Sequence, residues 1–430
     1  KYTLDSLTNG MYSSPMDMFR EYIQNSVDSF DDAIAKKIDR EDALKIDINI
    51  NALEEKVSIR DNGCGISSKE AVATLLDIGN SQKSRNNFRG FRGIGRLAGL
   101  SYCDKITFKT SYTDEKTATV IEFDAALLRQ LLLPGTSGSV EEVIEKIVTI
   151  KSESETPKRR YFEVTMEGID KDASLTDTEA VRDYLIQHAP LFFDNGFKWG
   201  RTIYDKVRME GFRIPQYKIY LNGEELTKPY RDTFISDRVK KNQDSIKDIE
   251  VKTFYRGDSL SAILWFAHTD FYGTILENAV KGIRIRQGNI LIGDKVSCNQ
   301  IFKEERFNGW IIGELHVVDK ELIANSRRDG FEKNAAYYEL MESLAEWALT
   351  ISKEIRHVSY ERSLSGSKKA IIEAENVDEV DFNDDLYAEN LGDEQDISES
   401  SIMDKSESDE LSETDYLSKL SMFFNQKKAQ

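Results

Sequence analysis

The spacing of apolar positions predicts an amphipathic helix from Pro15 to Lys37. Period-two alternation then predicts short strands at Lys45 to Ile50 and Lys56 to Arg60. A glycine-rich stretch separates these from strand patterns at Lys105 to Ser111 and Thr117 to Phe123, followed by an apolar run at Leu127 to Leu133. After a Gly-Ser break at Gly135 to Ser139 come a strand at Tyr161 to Met166 and a helix at Thr176 to Ala189. Alternating helices and strands read as an α/β layer. A second block opens near residue 205, where Tyr217 to Leu221, the turn signal Asn222-Gly223 and the residues from Glu225 onward form a hairpin. Further strands are expected at Ala262 to Ala267, Gly282 to Arg286, Ile290 to Ile292 and Trp310 to Val318. A helix from Ala335 to Tyr360 closes this block, and the small-residue stretch Ser363 to Ser367 breaks it off from a Ser-rich tail.

Composition changes the picture only in places. With 430 residues, 40% hydrophobic and 10% aromatic, the chain is long enough for two or three packed domains. No apolar run reaches membrane-spanning length, and Lys1-Tyr2-Thr3-Leu4-Asp5 has neither a basic start nor an apolar core, so export and membrane insertion are not expected. Three cysteines without a CxxC spacing, Cys64, Cys103 and Cys298, point to a reducing, cytoplasmic setting. The four histidines lie in no metal-ligand spacing and read as core or surface residues. The net charge of -18 is concentrated: residues 371–417 hold 18 acids against the single Lys405, which leaves the rest of the chain at about -1. Overall acidity therefore says little about what the body binds, while the tail reads as disordered.

Three local patterns carry candidate chemistry. Glu21, Asn25 and Asp28 share one helix face, and a carboxylate one turn from an amide suits a site that holds Mg²⁺ by oxygen and orients a water. Asp61-Asn62-Gly63-Cys64-Gly65-Ile66 follows a strand end, so a backbone without side chains at two positions can lie against a planar ligand while Asp61 accepts an exocyclic amine. Gly90-Phe91-Arg92-Gly93-Ile94-Gly95 leads into a helix start, where free backbone amides receive phosphate oxygens. Just ahead of and within it, Lys83, Arg85, Arg89, Arg92 and Arg96 crowd five cations into fourteen residues, a loop able to close over a triphosphate or to touch nucleic acid. Taken singly, each pattern is also what a solvated face or an ordinary turn looks like.

In their order and spacing the three resemble the nucleotide boxes of the GHKL ATPases, the superfamily of gyrase, heat-shock chaperone, histidine kinase and MutL domains. No Walker-type Gly-x-x-x-x-Gly-Lys-Ser/Thr is present. The resemblance implies a two-layer α/β sandwich over residues 1–204 that binds Mg-ATP, an α/β transducer over 205–334, a closing helix over 335–362 and an acidic tail over 363–430. It makes Glu21 the base for the attacking water and Asn25 the Mg²⁺ ligand, with Asp28 in support. Asp61 reads adenine, Gly63, Gly65 and Ile66 line the base, and Gly90, Gly93, Ile94 and Gly95 wrap the phosphates beneath Lys83. Ile323 to Phe331 resembles the catalytic-loop arginine segment of the ninety-kilodalton chaperones, which implies that Arg327 or Arg328 meets the γ-phosphate. Many relatives place a Gly-Thr pair on the last strand of the domain; Arg160 to Thr165 offers none.

The implied function is an ATP hydrolase whose loop closes over bound ATP and which dimerises as a switch on a protein client, closer to chaperone-like and microrchidia-like members than to gyrase. A DNA-associated clamp of a bacterial defence or repair system, and a non-hydrolysing ATP sensor, are the alternatives.

Overall fold

The structure is a computed structural model and describes residues 14–38, 43–76, 95–132, 140–237, 239–325 and 327–374. Lys83, Gly90, Gly93 and Ile94 lie outside the described residues, as do the Gly-Ser break and the tail beyond Ala374. The described residues form two compact units, one comprising residues up to 300 with 304–340, the other 301–303 with the residues from 341 onward.

The first unit begins with helix α1 (Asp17–Ala35). Pro15 stands just ahead of its N-cap, Met16, where a missing backbone N–H removes no helix hydrogen bond. Strands β1 (Lys45–Asn51) and β2 (Lys56–Asp61) follow as an antiparallel pair. Helix α2 (Ser68–Leu76) and a 3-10 helix over Gly95–Ser101 lead to β3 (Lys105–Ser111) and β4 (Thr117–Asp124). Next come α3 (Ala125–Leu132), α4 (Val140–Ile147), β5 (Val148–Ser154), β6 (Tyr161–Glu167), α5 (Thr178–His188) and α6 (Gly200–Met209). The hairpin β7 (Lys218–Leu221) and β8 (Glu224–Glu225) completes an eight-stranded sheet of order β5-β4-β3-β6-β2-β1-β7-β8.

One face of this sheet is apolar. Ile46, Ile48, Ile59, Ile106, Phe108, Ile121, Val164 and Met166 alternate inward and meet Met18, Phe19, Tyr22, Ile23, Val27 and Phe30 of α1 in one buried cluster. Alternation with a single covered face is what a helix-on-sheet sandwich requires. The fold class is therefore mixed α/β with a two-layer N-terminal domain, as expected.

The 222–223 hairpin does form, with both turn residues at positive φ, 49° and 84°, as a type I′ turn requires. It belongs to the first sheet, whereas the sequence pattern placed it in the second block. β7 pairs parallel to β1, the Asn222 amide N–H donates to the Ile48 carbonyl at 2.8 Å, and the Asn222 side chain accepts from the Ile50 N–H at 2.7 Å. These docking bonds span more than 170 residues of sequence and leave no local trace.

The rest of the unit is a two-stranded ribbon, β9 (Thr233–Ser236) with β10 (Asn242–Ser245), and a five-stranded sheet. That sheet comprises β11 (Asp248–Arg256), β12 (Ser259–His268), β13 (Gly282–Gln287), β14 (Ile290–Leu291) and β15 (Ile312–Val317), in the order β11-β12-β15-β13-β14. Helix α6 covers it through Ile203 and Val207, which share a core with Phe193, Tyr230, Ile263 and Trp265.

Helix α7 (Ala335–Ala374) runs on through Ser363 to Ser367, where the sequence suggested a break. Serine and glycine weaken a helix by no more than about 1 kcal/mol each relative to alanine, and no proline interrupts these forty residues. In the second unit Phe302 meets Trp347 edge-on, with ring centroids 5.9 Å apart. No helix among the described residues is long and apolar enough to cross a membrane. The three cysteines are free and buried.

Candidate functional site

Helix α1 carries two kinds of polar residue on the side it does not give to the core. Glu21, Asn25 and Ser29, one turn apart, are partly exposed, Glu21 by 12% of its side chain, while Gln24, Ser26 and Asp28 are buried. The first three form a stripe open to a ligand; the buried three hold neighbouring elements in place.

Ser26 and Ser29 fasten the loop after β2. The Ser26 hydroxyl donates to Asp61 Oδ2 at 3.0 Å, and Ser29 Oγ accepts from the Cys64 N–H at 2.9 Å. The Gly63 N–H donates to Asp61 Oδ1 at 2.9 Å. Both glycines are required sterically. A Cβ on Gly63 would sit 2.2 Å from Ser29 Oγ, and Gly65, at φ 67°, would thrust one to 2.0 Å from the Ser111 carbonyl oxygen. Ile66 is anchored by its N–H, which donates to Thr110 Oγ1 at 2.8 Å. Across the ladder from Asp61 stands Phe162.

Asp61 is only 2% exposed. Burial pushes its carboxyl up to about 7, against the opposing pull of the Gly63 N–H, the Ser26 hydroxyl and Arg60. A carboxyl raised in the folded state contributes stability that is full below its unfolded value near 4 and is lost as pH rises through about 7. The nucleotide-free protein is therefore expected to lose roughly 4 kcal/mol from this group between pH 4 and pH 8. Melting curves of the parent and Asp61→Asn across that range check this: the gap between them must change with pH, and a constant gap would assign Asp61 an ordinary carboxylate.

Glu21 faces a residue from far along the chain. Arg328 Nε lies 3.2 Å from Glu21 Oε1, and Arg328 Nη1 donates to Gln24 Oε1 at 3.3 Å. Gln24 Nε2 in turn donates to Asp28 Oδ1 at 3.1 Å. Asp28 thus supports the helix site from below, through an amide, and does not line its open face. Of the two candidate arginines, Arg328 is buried against α1, whereas the Arg327 side chain is exposed and only its carbonyl reaches α1, accepting from Arg20 Nη2 at 3.0 Å. Arg328 sits at φ 54° in a tight loop closed by the Ala324–Phe331 bridge, by the Arg328 N–H to the Asn325 carbonyl at 3.1 Å, and by the Gly293 N–H to the Arg328 carbonyl at 2.9 Å. A left-handed non-glycine residue costs on the order of 1 kcal/mol or more, which these bonds offset while they turn the side chain toward Glu21.

The phosphate segment enters the described residues at Gly95, the first residue of the 3-10 helix. Its far end is fixed to α1, because the Gly99 N–H donates to Tyr22 Oη at 3.1 Å, and it packs so closely on β6 that a Cβ on Gly99 would meet Met166 Sδ at 2.6 Å. Among the described residues no group of three His, Cys, Asp or Glu side chains could hold a metal by itself. The available donors, Asn25 beside Glu21, suit an ion that takes most of its ligands from phosphates and water, as Mg²⁺ does.

Gln24, Arg20, Ser26, Ser29 and Thr110 are the site residues that the sequence pattern did not single out. One signal was present for Gln24, which stands i+3 from Glu21 and i−4 from Asp28. Nothing local pairs it with Arg328, 304 residues on.

Residues 12–149 match the family described as "Histidine kinase-, DNA gyrase B-, and HSP90-like ATPase". The chain is also similar to proteins named "Chaperone protein HtpG". That of Acinetobacter baylyi is 30% identical over 125 residues, 25% of this chain and 20% of that protein. That of Legionella pneumophila (strain Paris) is 28% identical over 128 residues, 26% of this chain and 20% of its own. That of Rhodococcus jostii is 29% identical over 137 residues, 27% and 21% respectively. The chain thus spans about a fifth of the length of these relatives. The glycines that sterics demand, the buried acid and the carboxylate-bearing helix all fall within residues 12–149, the part of the chain that matches this GHKL-type ATPase family.

Proposed function

We propose that this chain binds Mg-ATP against α1 and the 61–66 loop, hydrolyses it, and uses the bound nucleotide as a conformational switch. The observation that carries the reading is the arrival of Arg328, beyond the second sheet, at the carboxylate of Glu21. Asp61 would accept the adenine amine on lone pairs left over by Ser26 and Gly63, with Gly63, Gly65 and Ile66 against the ring. Glu21 would take the proton of the attacking water. Arg328, now neutralised by Glu21, would pass to the phosphoryl group as charge gathers there, the cationic stabilisation on which phosphoryl transfer chiefly depends. Asn25 would hold Mg²⁺, which supplies charge neutralisation to the triphosphate when bound. Gly90, Gly93, Ile94 and Gly95, with Lys83, would cover the phosphates. Closure of that loop, ATP-driven dimerisation, a protein client and a cytoplasmic setting complete the proposal; the similarity to chaperone proteins supports a client in preference to DNA.

The test is ATP binding and Mg-dependent turnover by the whole chain and by Asp61→Asn. A hydrogen bond to a charged group is worth about 1.5–3 kcal/mol, so the variant is expected to bind ATP roughly 10- to 150-fold more weakly. Unchanged affinity would remove Asp61 from the adenine site. Binding without turnover in the parent would leave a nucleotide sensor. Duplex DNA binding that falls steeply with salt would favour the clamp.

A further inference from the structure

We infer that Gln24 is a positioning residue that aligns Arg328 for phosphoryl transfer. The inference rests on the proposed ATPase reading and extends it to a residue with no assigned part in the site. Gln24 is 1% exposed, on a helix that also buries Asp17, Arg20, Ser26 and Asp28 beside its apolar face. A buried amide is retained at low cost only where both of its ends are satisfied, and here they are: Nε2 donates to Asp28 at 3.1 Å and Oε1 accepts from Arg328 at 3.3 Å. A guanidinium only donates and an ionised carboxylate only accepts, so these partners allow one orientation of the amide. Asp28 thereby fixes which face Gln24 presents to the arginine.

The geometry gives Gln24 a distinct task. Glu21 holds Arg328 at Nε and Gln24 holds it at Nη1, so the two contacts, on different nitrogens, act together on the plane of the guanidinium. The two holds also differ in charge. Glu21 must release its cation to act on water, and the phosphoryl oxygens compete for the same Nε edge. The neutral Gln24 contact does not compete for charge, so it persists while the Nε edge changes partner. Arg328 then pivots about Nη1 and does not search for its place, a saving that matters because misplacement by about 1 Å costs up to roughly 100-fold in rate.

The test is kcat and ATP KM for the whole chain, Gln24→Met, Arg328→Ala and the double variant, with unfolding midpoints alongside. Gln24→Met keeps the length of the side chain and removes both bonds. It is expected to lower kcat about 10-fold with KM within about twofold, and to change kcat less than about twofold once Arg328 is alanine, because a residue acting through another adds nothing in its absence. Gln24→Glu supplies a second, independent readout. Protonated, its carboxyl mimics the amide; ionised, it repels Asp28 and grips Arg328. Its kcat is therefore expected to fall relative to the parent as pH rises through the range in which that carboxyl ionises, and this readout decides the matter if Gln24→Met does not fold. Equal losses from Gln24→Met in both arginine backgrounds, or a Gln24→Glu profile parallel to the parent's, would overturn the inference while leaving the ATPase reading in place. A silent Arg328→Ala in a parent that turns over would also overturn it. A parent that binds but never hydrolyses ATP would overturn both.

Discussion

Replacing Glu21 with glutamine is expected to lower ATP turnover at least about 100-fold and to leave ATP affinity within about threefold of the parent. Positioned general bases contribute roughly 10²- to 10⁴-fold, and this substitution removes proton acceptance while keeping an oxygen within reach of Arg328. Glu21→Ala is the harsher change. It strips the carboxylate that lies 3.2 Å from a guanidinium only 8% exposed, so its unfolding midpoint should fall below that of Glu21→Gln. The two variants thus separate chemistry from support. Single-turnover hydrolysis with a matched binding measurement reads the outcome: retained turnover in Glu21→Gln would exclude this carboxylate as the base, and weakened binding would instead place it on the ground-state nucleotide.

The part of this site that could be read from the sequence is the part written in short spacings. Glu21 and Asn25 stand one turn apart, Asp61 precedes two glycines at fixed offsets, and both patterns survive in the fold because helix geometry and glycine sterics act over a few residues. Four features escaped because their causes are distant or have no apolar signature. Strand β5 is exposed along nearly its whole length and reads Val-Thr-Ile-Lys-Ser-Glu-Ser; as an edge strand it gives only Val148 to the core, and its charges discourage pairing with another chain. The 222–223 hairpin could be recognised as a turn, but its sheet could not, since β1 chose it across a gap of more than 170 residues. Arg327 and Arg328 are chemically equivalent in the sequence, and only the left-handed backbone at Arg328 decides which one faces Glu21. The buried charges of the second sheet were missed for a related reason: Lys228, Arg284, Arg286, Glu314 and His316 lie on or beside strands, where alternation assigns charged positions to solvent.

Those charges set the largest stability effect expected of any single change. Glu314 is fully buried and accepts from Lys228 Nζ at 2.6 Å, Arg286 Nε at 2.5 Å, Tyr230 Oη at 3.0 Å and Trp265 Nε1 at 3.3 Å; the His316 ring lies beside it, Nε2 3.3 Å away. Burial opposes its charge, but Arg286, Lys228 and His316 outweigh that and hold the carboxyl well below the usual range. Burial in turn drives the Lys228 ammonium down, against the pull of Glu314. Glu314→Ala would leave two cations buried without their anion. Lysine has an escape, because it can shed its proton; arginine has none. Breaking such a pair costs about 3–5 kcal/mol, so the denaturation midpoint should fall sharply, and a second change, Arg286→Met, should restore part of the loss. The same hub reaches the candidate site. Arg286 Nη2 donates to the Gln187 carbonyl at 2.9 Å, and on that helix Tyr184 Oη donates to Asp17 at 3.1 Å. Asp17 pairs with Arg20 at 3.3 Å, and Arg20 holds the Arg327 carbonyl at 3.0 Å. Glu314→Ala, assayed well below its melting temperature, should therefore also slow ATP turnover, through a loosened Arg328 loop. A loss of stability below about 1 kcal/mol would mean that the hub holds no net charge pair, and full turnover in a destabilised variant would confine the hub to folding.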